Sequence, residues 1–144
     1  MTTAIRKRLP RNDGLQKVTG TAKYADDFYL PGMLYGKILR SPHAHARILE
    51  VNAERALALP GVRAVVFGKD TPGVAYGAIP DEYGLAIDKV RFIGDEVAAV
   101  AAVDEETAEA ALAHIDVEYE VLPSVHDPAR AMQEGAPVIH ERND

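Results

Sequence analysis

The chain has 144 residues, 47% of them hydrophobic and 26% charged, enough for one domain that buries most of the surface its unfolded chain exposes. Its formal charge of −6 speaks against a nucleic-acid partner, which needs a basic surface, and the lack of cysteine excludes disulfides, zinc–thiolate sites, iron–sulfur ligation and thiol catalysis within the chain. No apolar run approaches the ~18 residues of a membrane span, and no apolar stretch follows the charged N-terminus as in a signal peptide, so a cytoplasmic protein without a membrane partner is expected.

Residues 1–12, with Arg6, Lys7, Arg8, Pro10 and Arg11, read as a flexible basic arm ahead of a single domain over 13–144. Lys17–Gly20 and Thr21–Tyr24 are rich in β-formers and predict two short strands, with Gly20 as a bend between them. Pro31-Gly32 signals a turn. Met33–Arg40 predicts an apolar strand that ends at Ser41-Pro42, and Ala44–Val51 a strand returning from that turn. Asn52 can cap a short helix over Ala53–Leu59, stopped by Pro60-Gly61. Val62–Phe67 is β-branched and strand-like.

The Gly/Pro-rich stretch 68–88 has no period. It predicts a long, mobile surface connection whose apolar residues (Val74, Tyr76, Ile79, Tyr83, Leu85, Ile87) serve as an interface and pair the isolated chain as a weak homodimer. Lys89–Ile93 predicts a short strand, Gly94-Asp95 a turn, and Glu96–Val103, nearly all Val and Ala, a strand covered on both faces. Asp104 caps the strongest helix, in which Ala108, Ala111, Leu112 and Ile115 form one apolar stripe. Asp116–Val121 alternates as a half-exposed strand. Asp127-Pro128 opens a last helix, closed by Gly135. The order of elements is not a regular βαβα alternation. It predicts an α+β fold with a mixed sheet of short strands and two to three helices, not a doubly wound nucleotide-binding fold.

Four stretches carry a family resemblance: Asp13-Gly14 with Lys17–Gly20 and Tyr24; Pro31–Leu34 through Arg40-Ser41-Pro42-His43-Ala44-His45-Ala46; Leu59–Val62; and Val90–Gly94 through Val97–Val100 to the string E-Y-E-V-L-P at 118–123. In this order and spacing the chain resembles the opening α/β hammerhead domain of the large, molybdenum-binding subunit of the xanthine dehydrogenase / aldehyde oxidase family. The stretch from Gly77 to Asp104 is nearest in look to the 4-hydroxybenzoyl-CoA reductase and bacterial aromatic-hydroxylase branch. The resemblance implies a hammerhead fold in a molybdenum hydroxylase that uses molybdopterin, with [2Fe-2S] clusters and FAD on partner domains or subunits. It also implies that the chemistry lies downstream, so that no catalytic or cofactor-binding residue is assigned to this chain. The implied role is structural: packing on the catalytic molybdenum domain and the redox partner.

Other residues are candidate sites on their chemistry alone. His43 and His45, at i and i+2 on a strand, share a face and can grip one ion; a stand-alone small-molecule or metal-binding module built on that turn is the alternative function. Zinc usually needs four ligands, so the expected role of both histidines is structural. Asp81-Glu82 and Asp95-Glu96 resemble acid/base pairs, but neighbours on a strand point apart and share no proton. No phosphate-loop or nucleophile-elbow motif is present.

Overall fold

The computed structural model describes residues 10–78 and 80–141. The chain divides into two compact units, Met1–Met33 and Leu34–Asp144. Arg6, Lys7 and Arg8 of the expected arm lie outside the described residues.

The first unit corrects a sequence expectation. Residues 17–20 do not begin a strand; helix α1 (Gly14–Val18) occupies their place, and residues 21–24 run without regular structure into a 3-10 turn at Ala25–Asp27. The cause is local. Asp13 pairs with Lys17 one turn on, at 2.7 Å, and the Thr19 hydroxyl donates to the Leu15 carbonyl at 2.7 Å. Val18 and Thr19 favour a strand only where a ladder partner exists, and none is provided here among the described residues.

The second unit holds strands β1 (Tyr35–Arg40), β2 (Ala46–Asn52), β3 (Val62–Phe67), β4 (Lys89–Val90), β5 (Glu96–Ala102) and β6 (Asp116–Val121). Helices α2 (Glu54–Leu57), α3 (Glu105–Leu112) and α4 (Pro128–Ala131) lie between or after them. The α+β class holds, but the single mixed sheet is corrected to two three-stranded sheets, ordered β1-β5-β3 and β4-β2-β6, with every pairing antiparallel. The reason lies in the crossovers. The α2 connection leads from β2 to β3 and the α3 connection from β5 to β6, so each helix passes from one sheet to the other. A parallel pair would need a crossover that returns to its own sheet.

Two apolar clusters fill this unit. One joins Ala98 and Val100 of β5 to Ala53, Ala56, Ala111 and Ile115. The other joins Ala46, Ala86, Val90 and Val97. Val51 and Val117 pack against both. Val90, Val97 and Val100 are the largest fully buried side chains, each worth roughly 1.5–3 kcal/mol of burial. The Asp104 cap forms as expected, its carboxylate accepting from the Thr107 amide at 2.7 Å. Asn52 acts similarly before α2, accepting from the Glu54 amide at 3.0 Å.

The 68–88 connection is corrected in part. Val74 and Tyr76 are exposed, but Leu85 and Ala86 are buried. The segment folds on itself through an isolated bridge between Tyr76 and Glu82, and its return leg enters the core because the Ala86 amide donates to the Glu96 carbonyl. Ile79 lies outside the described residues.

β5 is covered on both faces only at its start. Val97 and Ala98 are both fully buried, on opposite faces. Farther along, Ala99 faces Ile38 and Val66 across the sheet, and Ala101 faces Gly36 and Ala64. Ile38 and Val66 are 42% and 41% exposed, so among the described residues this face is apolar and open. The opposite face receives α3, where the Lys37 ammonium meets Glu105 at 2.7 Å and Glu109 at 3.4 Å.

Candidate functional site

The two sheets meet at a pair of turns. The chain leaves β1 for β2 through Ser41–His45, and leaves β4 for β5 through Arg91–Asp95. The Ser41 amide donates to the Asp95 carbonyl and the Gly94 amide to the Ser41 carbonyl, both at 2.9 Å. Ser41 is buried, and its hydroxyl oxygen accepts from the His43 amide at 3.0 Å, which tightens the first turn. In the second turn the Asp95 carboxylate accepts from the Arg91 amide at 2.8 Å. Burial pushes the Asp95 carboxyl above its ordinary value, the Arg91 amide opposing. Burial likewise pushes the Tyr119 phenol up, with Asp95 adding to the effect and Ser41 opposing it.

The histidines sit in the turn, not on a strand, and engage different partners. The His43 ring stands edge-on to Tyr119 with centroids 5.0 Å apart. The His45 Nδ1 lies 2.7 Å from the Pro123 carbonyl, which can only accept, so that nitrogen carries the proton. Among the described residues no group of three or more His, Asp or Glu side chains is placed to hold a metal ion.

The paired carboxylates also part ways. Asp81 lies 3.3 Å from His140 Nδ1, whereas Glu82 makes the backbone bridge to Tyr76. Glu96 accepts from Arg40 at 2.6 Å, whereas Asp95 holds the Arg91 amide. Yet all four acids line one cavity of about 260 Å³, together with Arg91 and His140. No sequence signal announced this, because the two pairs lie on separate segments, Glu96 at the start of β5, and meet only through the tertiary fold. A cavity so rich in carboxylates suits a cationic or hydrogen-bond-donating guest and repels a phosphate. No helix among the described residues is long and apolar enough to cross a membrane.

Comparison with known proteins gives this architecture its context. The family described as "Aldehyde oxidase and xanthine dehydrogenase, a/b hammerhead domain" matches residues 19–123. The chain is 50% identical over 133 residues to a probable xanthine dehydrogenase subunit of Bacillus subtilis, covering 91% of this chain and 18% of that protein. It is 39% identical over 142 residues to the xanthine dehydrogenase molybdenum-binding subunit of Escherichia coli O157:H7, covering 90% and 19%. The crystal structure of a Cu,Mo-CO dehydrogenase superposes with a TM-score of 0.83 at 39% identity, over 90% of this chain and 17% of that one. None of these three is a 4-hydroxybenzoyl-CoA reductase. The chain thus spans less than a fifth of the length of each of these three relatives. By sequence and by fold, the chain belongs to the α/β hammerhead domain family of the aldehyde oxidases and xanthine dehydrogenases.

Proposed function

We propose that this chain is the non-catalytic structural and assembly domain, running over residues 13–144, of a cytoplasmic molybdopterin-dependent hydroxylase or dehydrogenase. In that reading it packs on the catalytic part of a molybdenum-binding subunit and toward iron–sulfur and FAD partners. Any enzymatic activity belongs to the whole assembly, and the 4-hydroxybenzoyl-CoA reductase branch is one candidate for its chemistry. The observation that carries the reading, beside family membership, is the open face of the β1-β5-β3 sheet. A row of Ile38, Ala99 and Val66 beside Gly36, Ala101 and Ala64 leaves apolar surface without a covering layer among the described residues, and a sheet face of this kind is stable when another layer covers it.

The acidic cavity does not fit a molybdopterin. The cofactor carries phosphate, and the acidic cavity of Asp81, Glu82, Asp95 and Glu96 has the wrong charge for it. This reading assigns the cofactor to other parts of the assembly and no reaction step to this chain.

A binding experiment tests the reading. The chain is expressed with the remainder of a molybdenum-binding subunit and the two are co-purified, alongside a Val66→Lys variant. Association is expected with the parent and not with the variant, at unchanged secondary structure. Stoichiometric molybdenum in the chain purified alone, or equal association of parent and variant, overturns it. Isolated, the chain is further proposed to self-associate weakly through Val74 and Tyr76.

A further inference from the structure

Lys89 is the one lysine that the fold buries among the described residues, at 4% exposure. It lies on β4 beside Val90, whose side chain enters the core; successive strand residues alternate, so Lys89 faces the other way. It lines a second cavity, of about 340 Å³, bounded by β2, by Leu122 and Pro123 after β6, and by the tail at Val138. The Lys89 ammonium stands 3.1 Å from the Glu141 carboxylate. Lys89 first, then Arg91 and Arg47, hold that carboxyl below its ordinary value.

His45 lines the same cavity and is 5% exposed. With Nδ1 committed to the Pro123 carbonyl, its Nε2 is buried and has no partner among the described residues. A buried polar nitrogen left unpaired is an exception that calls for a cause. Beside these polar groups stand apolar walls from Leu122, Pro123 and Val138. Apolar walls set against a few convergent polar groups are a common make-up of a small-molecule site.

We propose that this cavity binds a small organic monocarboxylate with an apolar body, and that Glu141 is a built-in, displaceable stand-in for its head group. The charge fits a single carboxylate. Arg47 is already paired with Glu120 at 2.9 Å, which leaves one buried ammonium to answer one negative charge. The apolar walls fit the body of such an acid better than they fit inorganic phosphate. Displacement is easy because the Glu141 side chain is 68% exposed and its tail has no regular structure. The neighbouring tail contact, His140 to Asp81, joins two half-exposed groups, and such surface pairs hold little.

The test uses the 144-residue chain, with benzoate as probe and benzamide as its uncharged match, titrated by calorimetry and followed by the NMR shifts of the His45 ring and the Val138 methyls. Glu141→Gln removes the internal competitor at a surface position and should bind benzoate about tenfold more tightly than the parent, as expected when an occluded state is released. Benzamide should bind neither. Adding Lys89→Met to Glu141→Gln should abolish benzoate binding; if that double variant does not fold, the benzoate/benzamide contrast in Glu141→Gln decides. Equal benzoate affinity in parent and Glu141→Gln, benzamide binding as well as benzoate, or no binding of benzoate to either protein at tens of millimolar overturns the proposal.

Discussion

The backbone carbonyl of Ala86 fills the space that a side chain on Gly68 would need. A Cβ at residue 68 would lie 2.1 Å from that oxygen and 2.6 Å from the Ile87 Cα. The contact is backbone on both sides, so no rotamer change relieves it. Gly68→Ala is therefore expected to cost about 1–3 kcal/mol by overpacking, read from the denaturation midpoint. Gly84→Ala is the control, since a Cβ there meets nothing within 4 Å, and should be neutral or slightly stabilising. A Gly68→Ala protein as stable as the parent would show that the return leg of the loop is not packed as described.

Two aspartates should give opposite pH responses. The Thr107 amide holds the Asp104 carboxyl below its ordinary value. Its stabilising contribution is present above the unfolded value of 3.8 and is lost as pH falls through the lower folded value. Asp104→Ala should lower stability at neutral pH and flatten that acid loss. Asp95 is shifted upward, chiefly by burial. There the folded protein binds the proton more tightly, so stability is gained as pH falls through the raised folded value toward 3.8. Asp95→Asn keeps an acceptor for the Arg91 amide and should remove the gain. Unfolding midpoints between neutral pH and pH 3 measure both; a parallel response of the two variants contradicts the assignment.

Replacing His43 and His45 together by Gln should leave zinc and copper content unchanged, because the rings engage Tyr119 and the Pro123 carbonyl separately. Loss of the buried His45 bond should cost about 1 kcal/mol. Micromolar metal binding by the parent that disappears in the double variant would restore the metal reading.

Limited proteolysis should divide the 68–88 connection. Cleavage is expected between Val74 and Tyr83, whose side chains face solvent at Val74 and Tyr76, and not at Leu85 and Ala86, which are buried. Sedimentation of Val74→Ser/Tyr76→Ser should show less self-association than the parent. Cleavage at Leu85, or unchanged sedimentation, goes against these assignments.

Elements governed by neighbours in sequence were the legible ones. β3 has the expected bounds, Val62–Phe67, because β-branched residues lie between a Pro-Gly stop and a glycine. The Asp104 cap and the Ala108/Ala111 stripe were equally readable, since a helix declares itself within two turns. α1 was not, because Val18 and Thr19 carry strand preference while the Asp13–Lys17 pair and the lack of a ladder partner among the described residues act against it. Val121 ends an alternating strand on its apolar phase but is 63% exposed, as alternation reports a face and not what covers it. The acidic cavity and the Lys89–Glu141 pair were illegible for one reason: each joins segments far apart in the chain, and no local period encodes which loops will meet.

The hydrogen-bonded contact between the Ser41 and Asp95 turns also acts as a register lock. The β1-to-β2 and β4-to-β5 passages between the sheets both run through it, so the pairing of β1 with β5 and that of β2 with β4 are indexed to the same two hydrogen bonds. A slip of one residue in either ladder would pull Ser41 away from Asp95 and turn the strand's apolar side outward, so an error in one sheet cannot be accommodated without an error in the other. The Ser41 and Gly94 amides, although they lie in loops, should therefore exchange with solvent only as slowly as the central strand β5, opening with the whole unit and not before it.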